Sequence, residues 1–247
     1  MWNDFDTGKY EGMIAETVTI PGEGGRAISA YYSRPLTNDP QPGLVLIPHM
    51  PGWDEIYREI ARRFTAHGYA VICPDIYRGF GTGKPEEIAK AAREAGGVSD
   101  QDVMEDCKAA MDFLRVRPKG TGKVGVMGTC SGGRHAFLAA CTVDGFDAAA
   151  DCWGGGVTAG GPEAPINRTE NLNCPLLGIF GNDDMHPAPA EVDELEAKLK
   201  ELGKDYEFHR YDGAGHGMWY YHTPMYRVEQ AMDSWEKVFA FFEKHLR

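Results

Sequence analysis

The residues best suited to chemistry stand in the segment Gly128-Thr129-Cys130-Ser131-Gly132-Gly133, between an apolar run and a helical one. The segment has the pattern Gly-x-nucleophile-x-Gly, with a cysteine where serine is more usual. Such a nucleophile occupies a tight turn from strand to helix, where side chains two residues away on either side would clash, so both positions are glycine. The start of the following helix favours a thiolate at this position. The pattern therefore predicts Cys130 as a nucleophile.

Two other interpretations of this segment stay open at this point. A glycine-rich turn between a strand and a helix can carry a cysteine that has no chemical role, since glycines are common in such turns. A phosphate-binding loop fits less well, because the segment lacks a Gly-Lys-Ser/Thr ending and no Gly-x-Gly-x-x-Gly pattern follows the strand. Partner residues elsewhere in the chain must decide between these interpretations.

The partners of such a nucleophile are a carboxylate and a histidine, which follow it in that order in the chain. The apolar segment Pro175–Gly181 is followed by Asn182-Asp183-Asp184, and the alternating segment Tyr206–Tyr211 is followed by Asp212-Gly213-Ala214-Gly215-His216. Each signal alone is weak, since an aspartate near a turn is usually a turn former. Their order, with each one following its own strand, predicts a nucleophile–acid–histidine triad.

An alternation of short β segments and longer helical segments must position these residues. Strands are predicted at Thr17–Ile20, Ile28–Ser33, Gly43–Pro48, Ala70–Pro74, Lys123–Gly128, Ala148–Trp153, Pro175–Gly181 and Tyr206–Tyr211. Helices are predicted at Ile56–His67, Glu86–Arg115 with a break near Gly96, Arg134–Cys141, Glu191–Leu202 and Met225–His245, whereas Gly154–Asn173 is expected to be an irregular surface excursion. This alternation predicts an α/β fold, with a mostly parallel sheet flanked by helices on both faces. We expect one domain over residues 1–247.

The overall composition limits the partners and the compartment. A net charge of −12 and a pI near 5.1 argue against nucleic acid and anionic membranes as partners. No apolar run approaches the roughly 18–20 residues of a membrane span, and the opening segment Met1–Asp6 lacks the features of a signal peptide. The six cysteines form no Cys-x-x-Cys pair, which favours free thiols in a reducing compartment. We expect a cytoplasmic protein of enzyme size, as a monomer or small homo-oligomer.

Four segments carry a resemblance to a known family: Pro74-Asp75-Ile76-Tyr77, Gly128–Gly133, Phe180–Asp184 and Tyr211–Gly217. They resemble the dienelactone hydrolases, α/β-hydrolases with a cysteine nucleophile, and the similarity extends from about Glu16 to the C-terminal helix. The resemblance implies an α/β-hydrolase fold of about eight strands without a large cap domain. It also implies a carboxylic ester or lactone hydrolase that needs neither a cofactor nor a metal.

Residue by residue, the resemblance implies Cys130 as the nucleophile, His216 as general base and acid, and Asp184 as the carboxylate that orients the histidine. The family spacing favours Asp184, whereas counting back from the proline-rich segment that follows favours Asp183. The expected oxyanion donors are the backbone N–H groups of Ser131 and of Met50, in the loop after Gly43–Pro48.

The segments that contact substrate in the family match less well. His49 stands where the family has a glutamate, Arg78 is shifted by one residue from one family arginine, and Tyr220 replaces another. Other aromatic residues also follow strands, at the sheet edge where open α/β sheets bind ligands. We therefore expect a substrate site that includes His49, Trp53, Tyr77, Arg78, Trp219 and Tyr220. Its aromatic character favours aromatic or lipophilic esters over small charged lactones.

Two further hypotheses belong to other functional classes. Cys130 can be a redox-sensing or peroxide-reactive thiol on a hydrolase scaffold, although no resolving cysteine is evident and a sensor would not need Asp184 and His216. A non-catalytic binding module is disfavoured by the complete triad. A metal cluster of Asp183, His186 and His222 lacks any supporting motif spacing.

Overall fold

A computed structural model of the chain describes residues 12–247, so the opening segment Met1–Asp6 lies outside the described residues. Its strands are β1 (Met13–Pro21), β2 (Ala27–Pro35), β3 (Gln41–Ile47), β4 (Ala70–Pro74), β5 (Gly120–Thr129), β6 (Ala148–Cys152), β7 (Leu176–Gly181) and β8 (Tyr206–Tyr211). Its helices are α1 (Glu55–Ala66), α2 (Pro85–Glu94), α3 (Asp100–Arg115), α4 (Ser131–Thr142), α5 (Pro189–Glu201) and α6 (Val228–Leu246).

The eight strands form one sheet in the order β1-β2-β4-β3-β5-β6-β7-β8. Strand β2 is antiparallel to both β1 and β4. The pairs β3–β4, β6–β7 and β7–β8 are parallel. Strands β3, β4, β6 and β7 are buried along their whole length. Strands β4 and β7 are apolar throughout, as expected of strands covered on both faces, whereas β3 and β6 carry the buried polar residues Gln41 and Asp151. The sheet order and the intervening helices confirm the predicted α/β-hydrolase architecture.

Within the described residues the chain divides into two compact units, residues 12–125 and Val126–Arg247. In the first unit, α1 packs on β2 and β4, and α3 packs on β3 and β4. Helix α1 begins after Asp54, whose carboxylate accepts the N–H of Tyr57 at 3.1 Å. Helix α3 begins after Ser99, whose hydroxyl accepts the N–H of Asp102 at 3.4 Å, as the predicted restart after Gly96 requires.

The second unit contains the segments predicted to carry chemistry. Helix α4 packs on β6, and α6 packs on β6 and β7 through an apolar face. The aromatic rings of Trp219 and Trp235 stack with centroids 4.0 Å apart, and Trp153 meets Trp219 edge-on at 4.7 Å. These rings fill the core beside the first half of α6, so that the loops after β6 and β8 pack on aromatic side chains.

The predicted elements are confirmed, with differences at their ends. Helix α4 begins at Ser131 rather than at Arg134, because the turn at Cys130 leads directly into the helix, with the N–H of Gly133 already bonded to the carbonyl of Cys130. The stretch predicted to be irregular, Gly154–Asn173, contains two short 3₁₀ helices.

Between residues 12 and 247, none of the helices combines the length and apolar character that crossing a bilayer demands.

Candidate active site

Cys130 lies on a strained turn between β5 and α4. Its backbone has φ 56° and ψ −129°, a left-handed conformation that is rare outside glycine. A Cβ on Gly128 would lie 2.1 Å from the carbonyl oxygen of Gly132, so position 128 accepts only glycine. The N–H of Cys130 bonds to the carbonyl of Cys152 at 3.0 Å, which ties the turn to the end of β6. This is the geometry of a nucleophile elbow.

His216 and Asp184 meet in the loops after β8 and β7. The Nδ1 atom of His216 lies 2.9 Å from Oδ2 of Asp184, and Oδ1 of Asp184 accepts the backbone N–H of His186 at 2.9 Å. The Asp184 side chain is 3% exposed and that of His216 32% exposed. Both carboxylate oxygens are therefore engaged, and the imidazole has one orientation relative to the acid. The carboxylate bonded to His216 is that of Asp184, whereas Asp183 is exposed.

A close packing of backbones holds these two loops together. The N–H of Asp183 donates to the carbonyl of Ala214 at 2.9 Å, and a Cβ on Gly181 would lie 2.3 Å from that same carbonyl oxygen. Gly181 therefore allows the acid loop and the histidine loop to touch, which places Asp184 within reach of His216.

The protonation of His216 is set by competing effects. Burial lowers the pKa of the imidazole, but hydrogen bonds to Asp184 and to the Cys130 side chain, together with their charges, raise the pKa of His216 to about 10. His216 thus contacts both the acid and the thiol, as a proton carrier between them must. The arrangement can take a proton from the thiol and deliver it to a leaving group.

A cavity of about 790 Å³ opens at these three residues. It is lined by Cys130, Ser131, Arg134, Gly155, Gly156, Ala159, Asp183, Asp184, Met185, His186, Glu191 and His216. Several of these residues are not among those that the sequence predicted. Arg134 stands one helical turn beyond Cys130, a spacing that is readable in the sequence. Gly155 and Gly156 lie in the stretch expected to be a surface excursion, and no sequence signal marks them.

Two predicted substrate residues of this unit, Trp219 and Tyr220, are buried core residues. The indole N–H of Trp219 donates to Oγ of Ser234 at 2.8 Å, and the hydroxyl of Tyr220 lies 3.1 Å from Oγ1 of Thr129. They are 4% and 7% exposed, and neither lines the cavity at Cys130. Both polar groups serve the packing of the loop that carries His216, so a direct role in substrate contact stays a prediction.

The other predicted residues lie in the unit formed by residues 12–125. His49 is buried, with Nε2 2.8 Å from Oδ2 of Asp54, and its ring lies 4.7 Å from that of Tyr57. The sulfur of Met50 lies 3.7 Å from Nη1 of Arg93.

The guanidinium group of Arg78 forms an ion pair with Asp106. Both of its terminal nitrogens contact the buried carboxylate of Asp106, and Nη1 also donates to the carbonyl of Asp75 at 2.7 Å. Tyr77 is 2% exposed and Trp53 is half-buried. Their contacts with substrate stay predictions.

All six cysteines are free, which confirms the expectation of unpaired thiols, and Cys130 is the least buried of them. Burial raises the pKa of the Cys141 and Cys174 thiols to about 12, and that of Cys73 and Cys152 well above the ordinary value. Between residues 12 and 247, no group of three His, Cys, Asp or Glu side chains is arranged to hold a metal ion.

The fold and the elbow define an α/β-hydrolase. The dienelactone hydrolase family model matches residues 28–246. A "Putative carboxymethylenebutenolidase" of Methylorubrum extorquens is 30% identical over 244 residues, covering 95% of this chain and 82% of that protein. A protein of the same name from Synechocystis sp. is 28% identical, with 93% and 96% covered. The crystal structure of a "Putative Dienelactone Hydrolase" from Klebsiella pneumoniae has a TM-score of 0.85 at 26% identity, covering 94% of this chain and 99% of that one. The chain belongs to the dienelactone hydrolase family, whose members are hydrolases of lactone and ester bonds.

Proposed function

We propose that the protein hydrolyses carboxylic esters or lactones through a triad of Cys130, His216 and Asp184. The observation that carries the proposal is the chain of contacts from Asp184 to His216 to Cys130 at one cavity. A binding protein would have no use for a strained nucleophile turn whose thiol touches a histidine held by a buried carboxylate. Family membership supports the same reaction class.

In the proposed reaction, the Cys130 sulfur attacks the substrate carbonyl carbon, with the proton of Cys130 held by His216. The tetrahedral intermediate then collapses, the carbon–oxygen bond of the ester breaks, and His216 protonates the departing oxygen. Water attacks the resulting thioester with His216 again taking a proton, and the acid product leaves as the thiol reforms. Asp184 stays ionised and holds the imidazole tautomer that can accept at Nε2.

Stabilisation of the oxyanion is assigned to two backbone N–H groups. Ser131 directly follows the nucleophile and opens α4, where N–H groups point out of the helix start toward a developing negative charge. We assign the second donor to the backbone N–H of Met50, in the loop after Gly43–Pro48. The acidic net charge of −12 and the free thiols support a small-molecule substrate and a reducing, cytoplasmic setting, without nucleic acid as a partner.

The experiment is a screen of the purified protein and its Cys130→Ala variant against p-nitrophenyl esters of increasing chain length and a dienelactone. Wild type should hydrolyse at least one of these substrates, and Cys130→Ala should lose at least about 10³-fold in kcat/KM while its circular dichroism is unchanged. Cys141→Ala, which removes a buried thiol from the last turn of α4, is the matched control and should retain activity. Mass spectrometry of the enzyme mixed with a slow ester should find the acyl group on Cys130. Hydrolysis by Cys130→Ala at close to the wild-type rate would overturn the proposal.

A further inference from the structure

Asp151 is a buried carboxyl group that the proposed reaction does not use. It lies on β6 opposite Gly178 of β7 and has no exposed surface. Its Oδ1 accepts the backbone N–H of Gly154 at 2.8 Å, whereas its Oδ2 has no hydrogen-bond partner among the residues the structure describes. A buried acceptor of this kind is costly unless something is gained from it.

Two glycines let the backbone close around this carboxyl group. A Cβ on Gly133, in the first turn of α4, would lie 2.5 Å from Oδ1 of Asp151. A Cβ on Gly154 would lie 2.3 Å from the same oxygen and 2.3 Å from the backbone nitrogen of Arg134. Asp151 therefore fills the contact between the first turn of α4 and the turn that follows β6.

That turn connects the nucleophile to the cavity wall. Its first residue, Cys152, accepts the N–H of Cys130 through its carbonyl. The next residue, Trp153, is held at φ 42°, a strained conformation for a bulky side chain. Gly155 and Gly156 at the far end line the cavity. The hydrogen bond from Gly154 to Asp151 holds the strained turn in place from its middle.

Among the residues that the structure describes, no positive charge compensates that of an ionised Asp151. None of the ion pairs among residues 12–247 involves Asp151. Strand β7 and the buried face of α6 bring no ionisable side chain to β6. Helix α4 carries Arg134 and His135, and the Arg134 side chain runs toward Gly156. Burial raises the pKa of Asp151 to about 7, opposed by the Gly154 N–H, and a charge there would raise the pKa of Cys152 further.

We propose that Asp151 is a positioning residue that acts as the uncharged acid. It fixes the turn Cys152–Gly156 against the start of α4 and thereby holds the nucleophile and the cavity wall in their relative positions. Its kinetic consequence rests on the proposed hydrolase function, whereas its protonation state does not.

The kinetic experiment compares Asp151→Asn with Asp151→Ala at pH 6. The asparagine keeps an oxygen for the Gly154 N–H and carries no charge, so kcat/KM should stay within about threefold of wild type. The alanine leaves that N–H unsatisfied and frees the turn, so kcat should fall at least about tenfold. Thr169→Val is the control, because it removes a buried hydroxyl of the same unit, bonded to Ile166, without touching the turn. Equal damage by Asn and Ala, or an alanine variant within threefold of wild type, would overturn the proposal.

A second measurement needs no hydrolysis. Because burial raises the pKa of Asp151 from its ordinary value near 4 to about 7, wild type should lose stability relative to Asp151→Asn as the pH rises from about 4 to about 7, with a constant difference above that. Urea midpoints of both proteins across this range test the claim. A difference that does not change with pH would show that the acid is already ionised and would refute the proposal. If no ester is hydrolysed, the proposed function fails, but this measurement still decides the state of Asp151; if Asp151→Ala does not fold, the Asn variant carries both tests.

Discussion

Replacing Asp184 by asparagine tests the proposed triad at its least exposed member. Asparagine has nearly the same shape, and its carbonyl oxygen can still accept the N–H of His186, as Oδ1 of Asp184 does at 2.9 Å. Its amide NH₂ would then face Nδ1 of His216, where a carboxylate oxygen now lies 2.9 Å away. Two donors cannot share that contact, so the imidazole must present Nδ1 as an acceptor and carry its proton on Nε2. In this tautomer His216 cannot take the proton of Cys130.

The size of the effect follows from this tautomer change. Loss of the orienting carboxylate in a comparable Ser-His-Asp site lowers kcat by ~10⁴-fold. A thiol gives up its proton more readily than a hydroxyl, so we expect ~10³-fold here, which corresponds to ~4 kcal/mol of transition-state stabilisation. The pKa of His216 should also fall from about 10, because the hydrogen bond and the charge of Asp184 contribute to raising it.

The assay is steady-state and single-turnover hydrolysis of the best p-nitrophenyl ester, with Asp183→Asn as the matched control. Asp183 is adjacent in sequence, lines the same cavity and is exposed. Its substitution removes the same charge without touching His216 and should change kcat by less than about threefold. The reasoning would be refuted if Asp184→Asn kept more than a tenth of the wild-type kcat. It would equally fail if Asp183→Asn were the more damaging change.

Three further outcomes are expected. Cys130 should be the first thiol to react with iodoacetamide at pH 7, identified by peptide mass spectrometry, because burial raises the pKa of competitors such as Cys141. The pKa of His216 is raised from 6.5 to about 10, so the contribution of His216 to stability is complete below pH 6.5 and is lost as the pH rises toward 10. The difference in unfolding free energy between wild type and His216→Gln, measured by urea unfolding, should therefore narrow between pH 6.5 and pH 10. Ser99→Ala should lower the free energy of unfolding by about 1 kcal/mol without changing kcat, because it removes the N-cap of α3.

Local steric rules made much of the fold predictable. A buried parallel strand has to be apolar on both faces, so β4 could be bounded at Ala70–Pro74 from its residues alone. The break between α2 and α3 could be predicted because the glycine at position 96 and the serine at position 99 are residues that end and begin helices. In the structure, Gly96 adopts φ 85°, which favours glycine, and Ser99 caps α3. The start of α4 was placed late, since the sequence does not reveal that Cys130 is itself the N-cap.

The nucleophile turn was predictable for the same local reason, but the substrate side was not. A Cβ at position 128 would lie 2.1 Å from the carbonyl oxygen of Gly132, so only glycine fits there and the motif is recognisable from adjacent residues. Whether Trp219 faces a cavity or a core depends on Ser234 and Trp235, which lie on a different element and give no signal near position 219. An aromatic residue after a strand fits both roles equally well.

The buried carboxylates Asp106 and Asp151 make the limit of sequence reasoning concrete. Asp106 is 1% exposed and is contacted by the guanidinium groups of Arg26 and Arg78. Asp151 is fully buried, and none of the described ion pairs includes it. A charged carboxylate buried this deeply needs a cation, whereas a neutral acid does not, and the N–H of Gly154 donates to Oδ1 of Asp151. Arg78 therefore pairs with Asp106, which its position beside the family motif does not reveal. Within the described residues, Asp151 lacks the cation that a buried aspartate usually has among its neighbours. In both cases the deciding residue is distant in sequence or is a backbone group, so the role of the charge follows from packing rather than from the motif.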